Sequence, residues 1–85
     1  MPTLSMFFGI IIRMFIDDDN PPHFHAHYQD SIAVFDLEGN LLEGELPAKQ
    51  AKLVTAWALI HHDELVANWE LAQNRESLFR IEPLR

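Results

Sequence analysis

Alternate histidines follow an acidic run and a double proline within residues 17–28 of this 85-residue chain. Side chains two residues apart in an extended strand point to the same side, so His23, His25 and His27 are expected to share one face. Their Cα atoms would lie about 6.5 to 7 Å apart, and angled imidazoles can then converge on a metal ion about 2.0 to 2.1 Å from each nitrogen. The spacing therefore indicates a metal site. The alternative is a solvent-facing row, or one that fixes loops by hydrogen bonds.

Carboxylates close in sequence extend the candidate ligand set. Asp18 and Asp19 precede the histidines, and nitrogen donors with one carboxylate suit Zn²⁺, Ni²⁺ or Fe²⁺. The chain has no cysteine, which excludes disulfides and thiolate ligands and fits a reducing cytoplasm. The predicted metal ligands are therefore His23, His25, Asp18, Asp19 and His27.

Catalysis would require a nucleophile or an activated water beside a base. The three glycines are isolated, so the chain has no Gly-rich phosphate loop, and none of its serines lies in a nucleophile motif. A metal-dependent hydrolase or ribonuclease that uses His23 and His25 therefore depends on the metal site alone. No catalytic residue is assigned.

The composition is that of one small acidic domain, residues 1–85, in which 48% of the residues are hydrophobic. A chain of this length buries only about 60 to 65% of its unfolded surface, so a partner subunit would add stability. The formal net charge of −7 opposes direct nucleic-acid binding by a monomer. It also allows another hypothesis, an acidic inhibitor that mimics nucleic acid.

Hydrophobic patterning changes once along the chain, from period two to a helical period. The fold expected is α+β: an antiparallel four-stranded meander, two helices packed on one sheet face, and a short C-terminal strand. The predicted strands cover residues 7–16, 22–28, 31–37, 41–46 and 79–83. Residues 48–74 contain no glycine or proline, and a break near His61–Asp63 divides them into two helices.

The first predicted strand, Phe7–Ile16, is apolar on both alternations, which is typical of a strand covered on both faces. It is too short for a membrane span, and Arg13 interrupts its apolar run. Two helices can cover only one face of a small sheet. Phe7, Ile11 and Phe15 are therefore expected to form a surface covered by a second copy of the chain or by another protein.

Several segments of the chain carry a family resemblance. They are Phe8–Phe15, Asn20–Ala26, Glu43–Pro47 and Glu64–Glu70. Over nearly its whole length the chain resembles the bacterial domain of unknown function family 4160, whose most specific motif is Pro-Pro-His-Phe-His. That family typically has a histidine where this chain has Asp19, and a polar or acidic residue at the position of His27.

The resemblance implies a cellular setting more than a reaction, because the family has no assigned activity. The arrangement of the family's genes is similar to that of small two-gene cassettes. The second gene often encodes another small domain of unknown function, family 2442. This implies a toxin-antitoxin-like or regulatory module. We therefore expect a small bacterial cytoplasmic binding module that acts through a protein partner or as a homodimer, with the hydrolase and the nucleic-acid mimic as alternatives.

Overall fold

The computed structural model describes residues 3–16 and 18–85 and shows an α+β fold. Its sheet is one antiparallel meander of five strands in chain order, followed by two helices. The elements are β1 (Thr3–Phe7), β2 (Ile10–Arg13), β3 (His23–Tyr28), β4 (Ser31–Asp36), β5 (Leu41–Gly44), α1 (Ala48–Ile60) and α2 (His62–Gln73). β3 is therefore the central strand, with two strands on each side.

The first apolar stretch forms a hairpin, so the prediction of a single strand at 7–16 is wrong. Phe7 pairs with Ile10, and the two residues between them, Phe8 and Gly9, have φ angles of 49° and 80°. Positive φ at both central residues is typical of the tight turn whose twist matches that of the flanking strands. Gly9 inside an apolar run is the sequence signal for this turn. The sheet has one more strand than the predicted meander for this reason.

Alternation along the middle strands separates a core face from an outer face. Phe24 and Ala26 on β3 are fully buried, as is Phe35 on β4, and the helices contribute to the same core. Residues of the opposite parity point to the outer face, where Met6 and Ile32 are each more than half exposed. The helices thus cover one face of the sheet, as predicted.

The predicted partner surface is divided between these two faces. Phe7 is only 6% exposed, and its ring centroid lies 5.5 Å from that of Trp57 in α1. Ile11 and Phe15 are partly buried, and the ring of Phe15 lies 4.6 Å from that of His25 on the outer side. A two-residue turn shifts the alternation by one position, so Phe7 does not share a face with Ile11 and Phe15.

The helices begin and break where the sequence predicts. Pro47 directly precedes α1, and the helical run breaks at His61, whose φ and ψ are −109° and 27°. Asp63 and Glu64 occupy the first turn of α2, where carboxylates interact favourably with the helix dipole. Among the described residues, no helix has the length and apolar run that crossing a membrane requires.

Trp57 joins α1 to the sheet and to the C-terminal segment. Its side chain is fully buried, and its ring lies 5.5 Å from that of Phe7 and 5.7 Å from that of Phe24. Its indole N–H donates to the Glu82 carbonyl oxygen at 2.8 Å. The large aromatic surface is therefore buried without an unsatisfied donor, which is the condition under which tryptophan stabilises a core.

The C-terminal segment 76–85 is irregular, so the predicted strand at 79–83 is wrong. The buried Asn68 side chain in α2 donates to the Phe79 carbonyl oxygen and accepts from the Phe79 N–H, both at 3.0 Å. The N–H of Ile81 donates to the Leu4 carbonyl oxygen at 2.8 Å. Ile81 is buried, but a side-chain amide, and not a strand ladder, makes the hydrogen bonds of the Phe79 backbone.

Removal of the Asn68 amide tests this clamp on the C-terminal segment. We expect Asn68→Ala to lower the free energy of unfolding by about 1 to 3 kcal/mol, because both backbone groups of Phe79 lose their partner. Glu70→Ala truncates an exposed side chain of the same helix and is expected to change the free energy of unfolding by less than about 0.5 kcal/mol. Urea unfolding followed by circular dichroism measures both variants. Equal effects would show that Asn68 does not hold the segment.

Candidate metal centre

The alternate histidines lie on the outer face of the central strand, as predicted. In the sheet register, His25 is opposite Arg13 on β2 and Val34 on β4. His23, His25 and His27 are all partly buried, because neighbouring strands flank β3 on both sides. The shared face follows from the two-residue period of an extended strand.

The loop between β2 and β3 brings Asp18 to this face. Met14 anchors the beginning of the loop in the core, and His23 begins the next strand at its end. The side-chain amide of Gln73, the last residue of α2, donates to the backbone carbonyl oxygen of Asp18 at 2.9 Å. The loop is therefore tied to both the sheet and α2, and the carboxylate of Asp18 is held partly buried beside β3.

Asp18, His23 and His25 form a cluster that could hold a metal ion. Each offers one ligand atom such that all three atoms lie within 4.8 Å of one another. The shortest contact joins His23 Nε2 to Asp18 Oδ2 at 2.8 Å. The two imidazole centroids are 5.2 Å apart, with an angle of 74° between the ring planes. Two imidazoles and one carboxylate are a ligand combination used for divalent transition metals.

Both ring nitrogens of His23 face oxygen atoms. Nδ1 lies 2.7 Å from the Pro21 carbonyl oxygen, which can only accept, so Nδ1 carries a proton and donates it. Nε2 faces Oδ2 of Asp18, and an ionised carboxylate also only accepts. The short Nε2 to Oδ2 contact therefore needs a second proton or a bound cation. A carbonyl that fixes one nitrogen and leaves the other directed at the site is the usual arrangement of a metal-ligating histidine.

His25 is the least satisfied member of the cluster. Its Nδ1 is buried and has no hydrogen-bond partner within the described part of the chain. Burial lowers the pKa of His25, the neighbouring His23 lowers it further, and the charges of Asp18 and Glu43 partly oppose this. His25 therefore favours the neutral form, which is the form that ligates metals.

A surface cavity of about 370 Å³ lies beside the cluster. Its lining includes His23 and His25 from β3, Val34 from β4 and the exposed Glu43 from β5. Val34 is opposite both His25 and Glu43 in the register, so these three residues lie in one row across the sheet. The cavity leaves space for a further ligand next to the two imidazoles.

The other two predicted ligands lie outside the cluster. Asp19 is exposed, and its backbone N–H donates to Asp18 Oδ1 at 3.2 Å, so it helps to orient the carboxylate. His27 lies further along β3; burial and the charge of Arg13 lower its pKa. Its Nε2 is buried without a partner among the described residues. Of the five predicted ligands, the structure therefore brings together Asp18, His23 and His25.

Two further residues at this site were not predicted from sequence. Glu43 reaches the cavity from β5, and Trp69 of α2 lies against His23 with ring centroids 5.4 Å apart. Glu43 could have been found from the strand register, since alternation places it on the face of His25. The contact of Trp69 carries no local signal, because it depends on how α2 crosses the end of the sheet.

The lowered pKa values of His25 and His27 predict how the stability of the metal-free protein depends on pH. The ordinary histidine pKa is 6.5, and the pKa values of these two histidines are lower in the folded chain. Near this pH the unfolded chain therefore binds more protons than the folded chain. The free energy of unfolding should therefore fall as the pH is lowered through 6.5. His25→Gln/His27→Gln should show a smaller fall in chelator-treated samples, measured by urea unfolding. An equal fall in both proteins would contradict the assignment.

Comparisons with known proteins agree with the motif in β3 and the loop before it. A family model described as Domain of unknown function (DUF4160) matches residues 9–70, which include β2 to β5, α1, most of α2 and all three cluster residues. No curated protein and no solved structure matches the chain significantly. Since the matched region covers most of its 85 residues, the chain belongs to the DUF4160 family.

Proposed function

We propose that this chain is a small metal-binding regulatory module that holds one divalent transition-metal ion through Asp18, His23 and His25. The observation that carries the proposal is the contact of His23 Nε2 with Asp18 Oδ2 at 2.8 Å, while Nδ1 of the same ring donates to Pro21. A cation between the two facing atoms satisfies both. Metal ligation through Nδ1 of His25 would also give that buried nitrogen the partner it lacks.

The ligand set favours a zinc-like ion and leaves positions open. Imidazole nitrogen and carboxylate oxygen bind Zn²⁺ at about 2.0 to 2.2 Å, so small side-chain rotations would bring the three ligand atoms into one coordination shell. Sites with three protein ligands keep a further position for water or another ligand. Ni²⁺ and Fe²⁺ suit the same donors, and two histidines with one carboxylate also occur in open iron sites.

The setting proposed for this module is a toxin-antitoxin-like cassette in the cytoplasm, where it acts through a protein partner. The family resemblance supports the cassette, and the absence of cysteine fits a reducing compartment. The outer sheet face supports a partner or a second copy, because the exposed Met6 and Ile32 lie on the same face as the partly buried Ile11 and Val34. An apolar face beside an open metal position suits binding to another protein.

Zinc binding by single variants tests the proposed ligand set. Wild-type protein, stripped with chelator and titrated with Zn²⁺ in a calorimeter, should bind one equivalent per chain. His23→Ala, His25→Ala and Asp18→Ala should each weaken binding by at least about a hundredfold, because each removes a direct ligand. Competition with a chromogenic chelator provides an independent affinity.

The chain offers matched controls for these substitutions. His27→Ala removes an imidazole from the same face of the same strand, and Asp19→Ala removes the carboxylate next to Asp18. Both lie outside the cluster and should retain wild-type stoichiometry, with affinity within about threefold, provided that the fold is unchanged. The proposal fails if wild-type protein binds no zinc, or if His27→Ala loses zinc as completely as His25→Ala.

A second candidate function, metal-dependent hydrolysis, is favoured by the position of Glu43. Its carboxylate lines the same cavity as His23 and His25, where it would accept a proton from a water held at the open metal position. The zinc-loaded protein should then hydrolyse p-nitrophenyl acetate faster than free zinc does. Glu43→Gln should hydrolyse the ester at least about tenfold more slowly than wild-type protein and should still bind zinc. Rates equal to those of zinc in buffer would exclude this activity.

A further inference from the structure

A second and larger cavity, of about 520 Å³, lies between α2 and the β4–β5 hairpin. His62, Val66 and Trp69 line one wall from a single face of α2, since they are four and three residues apart. Leu37 and Leu42 line the other wall from the hairpin. We call this cavity the α2 groove. Its volume is within the range of about 300 to 1,000 Å³ that is usual for ligand pockets.

The floor of the α2 groove is apolar and its rim is acidic. Trp69 and Leu37 are buried below the surface, and Leu42 is half exposed. The carboxylates of Glu38 and Glu70 stand at the exposed rim. A pocket with an apolar floor and a rim of one charge sign selects its partner by charge complementarity. It gains affinity when an apolar side chain of the partner is buried against the floor.

The carboxylates that line the groove differ in whether they already accept hydrogen bonds or form ion pairs within the protein. Asp36 accepts hydrogen bonds from the backbone N–H groups of Glu38 and Asn40 at 2.9 Å, and thereby holds the hairpin turn. Glu38 Oε2 lies 2.9 Å from His62 Nε2, which links the two walls of the groove. The Glu70 carboxylate has no hydrogen bond or ion pair within the described residues. Glu70 is therefore the groove carboxylate available to a ligand cation.

We propose that the α2 groove binds a partner-protein segment in which a lysine or arginine stands beside an apolar side chain. The apolar side chain would lie against Leu37, Val66 and Trp69, and the cation would lie at Glu70. The chain's formal net charge of −7 would also draw such a segment in and repel acidic ones.

The α2 groove continues into the metal cavity. Pro21 and Leu42 line both cavities, and Trp69 in the groove lies against His23 of the metal cluster. A segment bound in the groove would therefore end close to the open metal position. This inference rests on the proposed function only in that the module acts through a protein partner, and it names the chemical class of that partner.

The probe for the groove is a fluorescein-labelled peptide of four Leu-Arg repeats. Fluorescence anisotropy should show saturable binding that weakens as salt is raised, because the rim contact is electrostatic. Peptides of four Leu-Glu or four Ser-Arg repeats remove either the charge or the apolar contact and should bind at least about tenfold more weakly. In nitrogen–proton NMR spectra, the Trp69 indole signal should move, whereas that of Trp57, which donates to Glu82, should not.

Charge reversal at Glu70 separates groove binding from general attraction to an acidic protein. Glu70→Lys should weaken binding of the Leu-Arg peptide by about five- to tenfold. Asp30→Lys makes the same change in net charge at the exposed turn between β3 and β4, and should change binding by less than about twofold. Equal weakening by both variants, equal binding of the Leu-Glu peptide, or no binding at all would overturn the proposal.

The same variants distinguish failure of the groove from failure of the metal site. Glu70→Lys should bind zinc as wild-type protein does, because Glu70 is outside the ligand cluster. His25→Ala should retain peptide binding when measured in chelator, because His25 does not line the α2 groove. Wild-type protein that binds zinc but not the peptide would overturn only the groove proposal, whereas wild-type protein that binds the peptide but not zinc would overturn only the metal proposal.

Discussion

Side chains of β3 alternate between the two faces of the sheet, and the rest of this small structure depends on that constraint. As the central strand, β3 contributes Phe24 and Ala26 to the face that the helices cover. The same alternation leaves His23 and His25 on the outer face. One strand thus supplies both core residues and two of the three residues of the candidate metal cluster. A slip of one residue in its register would bury imidazoles and expose phenylalanine, so the core also fixes the site.

The contact between His23 and Asp18 shows how a site of this kind is prepared. Removing a carboxylate partly from water costs free energy unless a proton or a cation faces it. The Pro21 carbonyl fixes one nitrogen of the ring, and Gln73 fixes the loop that carries Asp18. The imidazole nitrogen and the carboxylate oxygen are therefore held close together, and a metal ion would take the place of the proton between them. Such preorganisation is what a metal ion requires, because the side chains then lose little freedom on binding.

Helix α2 connects the separate features of the molecule. Trp69 lies against His23 and lines the α2 groove, Gln73 holds the loop of Asp18, and Asn68 clamps the C-terminal segment. A partner bound along α2 would thus contact the element that orders the metal cluster. The candidate metal cluster and the α2 groove therefore share α2 as a supporting element.

Local spacing in the sequence determined the histidine face and the helix break at His61, because periodicity within one element needs no knowledge of other elements. It did not reveal the turn at Gly9, where one residue decided between a strand and a hairpin. Only the tertiary structure selected Asp18 over its neighbour Asp19, since loop docking against α2 decides which carboxylate faces β3. It also decided that His27 stays apart and that Glu43 and Trp69 approach the site. These contacts join residues far apart in the chain, and their distances depend on strand register and helix packing, which no local pattern encodes.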